Sequence, residues 1–150
     1  MVQSIVLYNS ETWTIKEEQK RKLKTFEMAV LRNICGITRD RRRNVDILKE
    51  LQMEDVNEVL QTRRLTYFGH VTRMEKDRYP NILMHGYTHG RRPRGRPRKR
   101  WLDNITEDCE ELNLTIHQAS RLANDRVKWR NTVRNKGSRS AGTSSSSQRL

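Results

Sequence analysis

The ten residues from 91 to 100 constrain this chain more than any other segment. They read Arg-Arg-Pro-Arg-Gly-Arg-Pro-Arg-Lys-Arg, seven cationic side chains without an acidic one. Burying unpaired charge is prohibitively costly, so this basic run must face water or a polyanion. Glycines and prolines across residues 86–97 also prevent a regular helix or strand. The sequence therefore predicts an extended basic linker over residues 86–100.

The composition of the remaining chain indicates a small core in a reducing compartment. Net charge is +13 over 150 residues, and only 33% of them are hydrophobic. No stretch has the apolar length of a membrane span, and the N-terminus lacks the charged start of a secretory signal. Two cysteines, Cys35 and Cys109, give no disulfide framework. We expect a nuclear or cytoplasmic protein with no membrane partner.

Apolar residues recur at helical spacing on both sides of the linker, which predicts a mainly α fold. We expect small helical modules joined by the extended basic linker, with a disordered C-terminal tail. The predicted boundaries are a helical module over 1–85, the linker over 86–100, a two-helix module over 101–135 and a Ser-rich tail over 136–150. The apolar positions expected in the core include Leu23, Phe26, Val30, Leu31, Ile34, Trp101, Ile105, Cys109, Trp129 and Val133.

Several helix ends are marked by capping patterns. Residues 14–17 and 115–118 each have the spacing of a capping box, which predicts a helix start at both places. Gly36 lies where a helix C-terminal cap belongs, and Asp55 begins another helix. Gly69 lies inside a helical pattern, where it weakens the helix and predicts close packing against a neighbour.

The centre of the basic run, Arg94-Gly95-Arg96-Pro97, resembles the AT-hook, a short minor-groove DNA-binding element. Proline keeps such a strip extended, glycine allows close backbone approach, and Arg94 and Arg96 fit a narrow A·T minor groove. Flanking cations would neutralise phosphates: Arg91, Arg92, Arg98, Lys99 and Arg100. Three other interpretations stay open: a nuclear localisation signal, a non-specific polyanion contact and a solvated linker.

Two further groups of cations extend this hypothesis along the chain. Arg41, Arg42 and Arg43 form either a phosphate contact or a solvated loop, and Lys20–Lys24 would continue the cationic track.

Trp101 and Trp129 could stack on bases, but their helical spacing favours the core.

Metal and thiol chemistry have weak support. The spacing of His85 and His89 suits a metal in isolation, but no Cys-x-x-Cys pair accompanies it, so we predict no metal and no cofactor. Cys35 and Cys109 both lie on predicted apolar faces, so we expect each to be buried and inert.

An ordered series of motifs resembles the C-terminal region of endonuclease–reverse transcriptases from animal non-LTR retrotransposons. The resemblance covers roughly residues 4–134. The motifs are Leu7-Tyr-Asn-Ser-Glu-Thr-Trp13, Phe26-Glu-Met28, Leu31-Arg32, Cys35-Gly-Ile37, Arg63-Arg-Leu65, Gly69-His-Val71, Arg73-Met74, Arg91–Pro97, Arg100-Trp-Leu-Asp103, Asp125-Arg126 and Trp129-Arg130. Asn9 departs from the resembled family, which usually has glycine there.

The resemblance implies thumb helices and a post-polymerase segment that grip template and primer. The family's catalytic palm motif, an aromatic followed by Ala-Asp-Asp, is absent, and so is its endonuclease domain. Two-metal phosphoryl transfer needs clustered carboxylates, so we expect no catalytic residue and no enzyme activity from the chain alone.

Four functional hypotheses follow. The leading one is a non-catalytic nucleic-acid-binding C-terminal fragment of a non-LTR retrotransposon reverse transcriptase, with DNA or an RNA–DNA hybrid as partner. In the second, the chain contributes to RNA-directed DNA polymerisation only when joined to a palm. The third is a decayed open reading frame without a selected function, and an AT-hook-like minor-groove protein is a further alternative. The choice between RNA and DNA, and the oligomeric state, stay open at this point.

Overall fold

The computed structural model describes residues 2–36, 42–85, 94–95 and 98–135, and in these residues all regular structure is helical. A short 3-10 helix covers Ser10–Thr12. The α-helices are α1 (Val2–Val6), α2 (Glu17–Ile34), α3 (Asn44–Glu50), α4 (Val56–Thr72), α5 (Tyr79–His85), α6 (Trp101–Glu111), α7 (Ile116–Ala123) and α8 (Arg126–Arg134). The mainly α prediction is confirmed. The predicted tail, residues 136–150, and most of the linker lie outside the described residues.

The chain divides into two compact units, each assembled from two separate stretches of sequence. Unit 1 comprises Met1–Arg64 and Pro97–Asn104, and unit 2 comprises Leu65–Arg96 and Ile105–Leu150. The predicted modules, in contrast, follow one another in chain order. The predicted division into residues 1–85, 86–100 and 101–135 stays a prediction.

Two apolar clusters form the core of unit 1. Their buried members are Leu7, Ile15, Val56 and Leu60 in one, and Met28, Leu31, Ile47 and Leu48 in the other. Phe26 and Ile34 of α2 are exposed, so their predicted core positions are wrong. The buried face of α2 includes Glu27 instead, because its carboxylate accepts a hydrogen bond of 3.1 Å from the Val56 N–H at the start of α4. A carboxylate is stabilised at that helix end by the backbone dipoles.

The two ends of α2 give opposite outcomes for the predicted caps. The helix begins at Glu17, and the preceding Lys16 N–H donates to Gln19 Oε1 at 2.8 Å. The capping box predicted from Thr14 to Glu17 is therefore wrong by two residues. At the other end Gly36 has φ of +66°, the left-handed conformation of a helix C-cap, which confirms the predicted stop.

Unit 2 contains the second predicted capping box, at the start of α7. Thr115 Oγ1 accepts a hydrogen bond from the Gln118 N–H at 3.3 Å, and Gln118 Oε1 accepts one from the Thr115 N–H at 2.9 Å. Both halves of the box are therefore present, and the prediction is confirmed. α7 ends at Ala123, and Asp125 caps α8 by accepting hydrogen bonds from two backbone N–H groups.

A close contact between α4 and α8 orders the core of unit 2. Trp129 is buried; its indole N–H donates to the Leu65 carbonyl at 3.0 Å, and its ring lies 5.8 Å from that of Phe68. A Cβ built on Gly69 would lie 2.3 Å from Trp129 Nε1. Only glycine allows this approach, so the close packing predicted at Gly69 is confirmed, as is the core position of Trp129.

Candidate nucleic-acid interface

The structure describes part of the predicted contact set. The described members are Arg42, Arg43, Arg94, Gly95, Arg98, Lys99 and Arg100, whereas Arg41, Arg91, Arg92, Arg96 and Pro97 lie outside the described residues. The described residues of the basic run fall into two parts: the centre of the run and its junction with α6.

At the centre of the run, Arg94 and Gly95 are both exposed. Gly95 has φ of +121°, which L side chains rarely adopt, and a Cβ there would meet no heavy atom within 4 Å. Backbone conformation, rather than crowding, is therefore what requires glycine at this position. The sequence analysis also assigned Gly95 a role in the backbone, but a different one, namely close approach of the backbone to the floor of a DNA groove.

The last cation of the run is held at the start of α6. Asp103 Oδ2 accepts a hydrogen bond from the Arg100 backbone N–H at 2.7 Å, and Asp103 Oδ1 lies 3.3 Å from the Arg100 guanidinium. The backbone hydrogen bond, followed by the guanidinium, lowers the pKa of Asp103. Arg100 therefore serves the helix start in this structure, and a phosphate would have to compete with Asp103 for it.

Two side chains of α6 bind the 3-10 helix and the loop that follows it, all within unit 1. The Trp101 indole N–H donates to the Glu11 carbonyl at 2.8 Å. The amide of Asn104 makes two bonds to Ile15: its Oδ1 accepts from the Ile15 N–H at 3.0 Å, and its Nδ2 donates to the Ile15 carbonyl at 2.8 Å. These bonds place the Arg98–Arg100 end of the basic run on a folded support.

Lys99 extends this junction toward the start of α2. Its charge lowers the pKa of Glu17, although the hydrogen bond from Lys20 is the largest cause of that shift. Lys99 also contributes to the lowered pKa of Asp103. The cationic end of the run thus lies within electrostatic range of the first turn of α2.

Sequence reasoning missed Asn104, which holds this junction together. The residue has no exposed surface, although an asparagine in the first turn of an amphipathic helix reads as a solvated position. No local signal marks this residue, because its partner Ile15 lies 89 residues away along the chain.

Most of the predicted track over Lys20–Lys24 is engaged with carboxylates in unit 1. The ion pairs are Lys20–Glu17 at 2.7 Å, Lys22–Glu18 at 2.7 Å, Lys24–Asp55 at 2.6 Å and Arg42–Glu50. The pairs that are exposed on both sides, Lys22–Glu18 and Arg42–Glu50, contribute at most about 1 kcal/mol each. The Lys24–Asp55 hydrogen bond raises the pKa of Lys24, which keeps that cation charged. Arg43 precedes α3 and is exposed.

The two cysteines have opposite environments. Cys109 is buried, and burial together with the neighbouring Asp108 and Glu110 raises its pKa to about 12, as expected for an inert thiol. Cys35 is exposed at the end of α2, so its predicted burial is wrong; the helix turns this position outward with Ile34. Within the described ranges, His, Cys, Asp and Glu form no group of three that could hold a metal ion.

The three tryptophans differ in exposure. Trp129 is buried in unit 2, Trp101 is half-buried, and Trp13 in the loop between the 3-10 helix and α2 is 38% exposed.

Across the part of the chain that the structure describes, every helix is too short or too polar to cross a lipid bilayer.

Comparison with known proteins finds one informative likeness. The chain is 26% identical over 144 residues to an uncharacterized transposon-derived protein of Caenorhabditis elegans. The matched region covers 87% of this chain but 52% of that relative, so the chain spans about half of the relative's length. No protein-family model matches the chain. No solved structure matches it either.

Proposed function

We propose that this chain is a transposon-derived, non-catalytic nucleic-acid-binding segment that contacts the phosphate backbone through the basic run. The observation that carries the proposal is the run itself, seven cations in ten residues with no acidic side chain. The folded junction with α6 supports the proposal. A run that is fixed at one end loses less conformational entropy when it binds nucleic acid than a free tail does.

The origin from a transposon draws on two independent supports. One is the similarity to the transposon-derived protein of Caenorhabditis elegans, and the other is the ordered series of motifs that resembles non-LTR retrotransposon reverse transcriptases. Asn9, the departure from that series, has φ of 53°. This left-handed conformation is one that glycine adopts freely and asparagine tolerates best among the other residues. The Asn9 substitution is thus physically compatible with the resembled motif.

We further propose a nuclear or cytoplasmic location, with duplex DNA or an RNA–DNA hybrid as the partner. Phosphate contacts read both backbones alike, so the charge of the run accepts either duplex. Activity in RNA-directed DNA polymerisation would belong to a larger protein that supplies the palm. The present chain would contribute only contacts to the nucleic acid.

The test is a salt titration of binding, by fluorescence anisotropy, to three labelled ligands: an A·T-rich duplex, a G·C-rich duplex and an RNA–DNA hybrid. If the seven cations of the run engage B-DNA, log K falls with log salt at a slope of about −6. The double variant Arg94→Ala/Arg96→Ala should weaken binding and reduce the slope by about 2. An A·T preference that this variant loses would assign the run to the minor groove.

A matched control is provided by Arg126→Ala/Arg130→Ala, which removes the same charge from exposed positions on α8. This control should keep most of the binding. Equal losses in both double variants would show that net charge, not the basic run, accounts for binding. An absence of binding to all three ligands near 0.15 M salt would overturn the proposal and favour a decayed reading frame.

A further inference from the structure

One side chain of α2 holds the segment that leads into α3. Arg32 Nη2 donates a hydrogen bond of 3.1 Å to the Arg42 carbonyl and another of 2.8 Å to Asn44 Oδ1. These two acceptors lie on either side of Arg43 in the chain. Arg32 therefore restrains the backbone both before and after Arg43, and all four residues belong to unit 1.

The backbone of Arg43 is also anchored by its own carbonyl. This carbonyl accepts hydrogen bonds from the N–H groups of Asp46 at 3.1 Å and Ile47 at 3.3 Å, at the start of α3. Ile47 has no exposed surface, so the packing of α3 in the core holds this end of the segment in place. Arg43 itself is nevertheless exposed. Its backbone is thus ordered before a ligand binds, and only the side chain loses freedom on binding.

The arginines of this segment differ in their charge partners. Arg42 is paired with Glu50 at the end of α3. Arg32 donates to two neutral oxygens, and among the described residues no carboxylate pairs with Arg32 or Arg43. The two carboxylates of α3, Asp46 and Glu50, do not cancel the three arginines, so the segment keeps a net positive charge.

The Arg32 side chain is not arranged for stability alone. Its Nε atom is buried, and no described residue accepts a hydrogen bond from it. A buried donor without an acceptor lowers the free energy of unfolding. Departures of this kind from full satisfaction are typical of residues that serve a binding site.

We propose that Arg32 is a positioning residue that holds Arg43 ready to bind a phosphate of the nucleic-acid backbone. A guanidinium suits this role, because its planar fork donates two parallel hydrogen bonds to one phosphate. The inference rests on the proposed function and extends it, since it adds a contact on unit 1 outside the basic run. It also favours the phosphate contact over the solvated loop at Arg43.

The experiment repeats the salt titration of the full chain on a labelled duplex with variants of this segment. Arg43→Ala should reduce the slope of log K against log salt by about 0.9, the value for one phosphate contact on B-DNA. The loss of this contact should make binding about 8-fold weaker at 0.1 M salt, and the difference from the parent should vanish near 1 M.

The positioning role is tested by two variants that keep the net charge. Arg32→Lys replaces the planar fork by an ammonium on a flexible stem, and Asn44→Ala removes one acceptor of the Arg32 guanidinium. Each should weaken binding roughly 2- to 10-fold, because a side chain that is no longer held in place must be immobilised on binding. In an Arg43→Ala background neither change should have a further effect, since Arg32 acts through Arg43.

Lys49→Ala is the matched control. Lys49 is an exposed cation in the last turn of α3 and belongs to the same unit. Its removal takes away the same charge as Arg43→Ala and should leave the slope unchanged. Far-UV circular dichroism and urea denaturation of each variant check that the helices are intact.

The outcomes separate the contact, its positioning and the proposed function. An unchanged slope in Arg43→Ala overturns the contact, and so does an equal loss of slope in Lys49→Ala. If Asn44→Ala costs as much in the Arg43→Ala background as in the parent, the positioning role is overturned. If the parent binds no nucleic acid, the proposed function fails together with this inference. If Arg94→Ala/Arg96→Ala weakens binding and Arg43→Ala does not, the inference fails alone.

Discussion

Replacing Gly69 by alanine should test the closest packing contact of unit 2. The added Cβ would lie 2.3 Å from Trp129 Nε1 and 2.4 Å from Trp129 Cδ1, well inside van der Waals contact. The Trp129 ring is buried against Phe68 and bonded to the Leu65 carbonyl, so it cannot move away without loss. Either the indole hydrogen bond breaks or α4 and α8 separate.

The expected cost of Gly69→Ala is the difference between opposing terms. Overpacking of a close-packed core costs about 1–3 kcal/mol. Loss of the hydrogen bond between Trp129 and Leu65 leaves buried polar groups without partners, which costs about 1–3 kcal/mol more. Alanine returns about 1 kcal/mol through its higher helix propensity. We therefore expect the free energy of unfolding to fall by about 3 kcal/mol.

The assay is urea denaturation followed by far-UV circular dichroism, arranged as a double-mutant cycle with Trp129→Phe. In the Trp129→Phe background Nε1 and its hydrogen bond are already absent, although a ring carbon remains near the Cδ1 position. Gly69→Ala should therefore cost the overpacking less the gain in helix propensity, about 1 kcal/mol. An equal cost in both backgrounds would refute the reasoning, and so would a stabilising effect of Gly69→Ala in the parent chain.

Three further predictions concern other sites. At pH 8 a thiol reagent should label Cys35 in the native chain and Cys109 only after denaturation, since burial raises the pKa of Cys109 to about 12; rapid native labelling of both would contradict this. Asp103→Asn should release Arg100, tighten duplex binding and steepen the salt slope by up to about 0.9, and an unchanged slope would count against the pairing. The pKa of Asp103 is lowered, so its stabilisation is present above about pH 4 and is lost as the pH falls through the lower folded value; denaturation midpoints at pH 7 and pH 3 should converge in the Asn variant. Asn104→Ala should lower the free energy of unfolding by about 2–4 kcal/mol, because it leaves two buried backbone groups without partners; a loss below about 0.5 kcal/mol in urea denaturation would refute this.

Local patterns predicted the helices and several of their ends well. The capping box at Thr115 and the left-handed stop at Gly36 depend on residues within one helical turn, so the sequence carries the whole signal. The close packing at Gly69 was also predictable, because a glycine weakens a helix and is expected there mainly where a neighbouring element packs closely. In each case the deciding interaction is local or sterically simple.

The predictions that were wrong depended on contacts distant along the chain. Periodicity placed Phe26 in the core and gave no reason to expect burial of its neighbour Glu27. In the structure Phe26 is exposed and Glu27 is buried, since Glu27 caps a helix that starts 29 residues later. Likewise, nothing local distinguishes Asn104 from a surface asparagine, because its partner Ile15 lies 89 residues away. The binding role of the basic run stays a prediction until nucleic acid is added.

The Glu27 contact also has a consequence for the order of folding. The Val56 N–H at the start of α4 obtains its carboxylate acceptor from α2, so the first turn of α4 is completed by a residue outside its own segment. A separate peptide covering Val56–Thr72 would therefore fray at its N-terminus, since isolated helices of this length are marginal in water. During synthesis α2 leaves the ribosome before α4, so the Glu27 carboxylate is already present when the Val56 N–H emerges. Glu27 and Val56 are 29 residues apart, and the chain between them must close into a loop before this hydrogen bond can form. The complete formation of α4 therefore depends on the docking of α2.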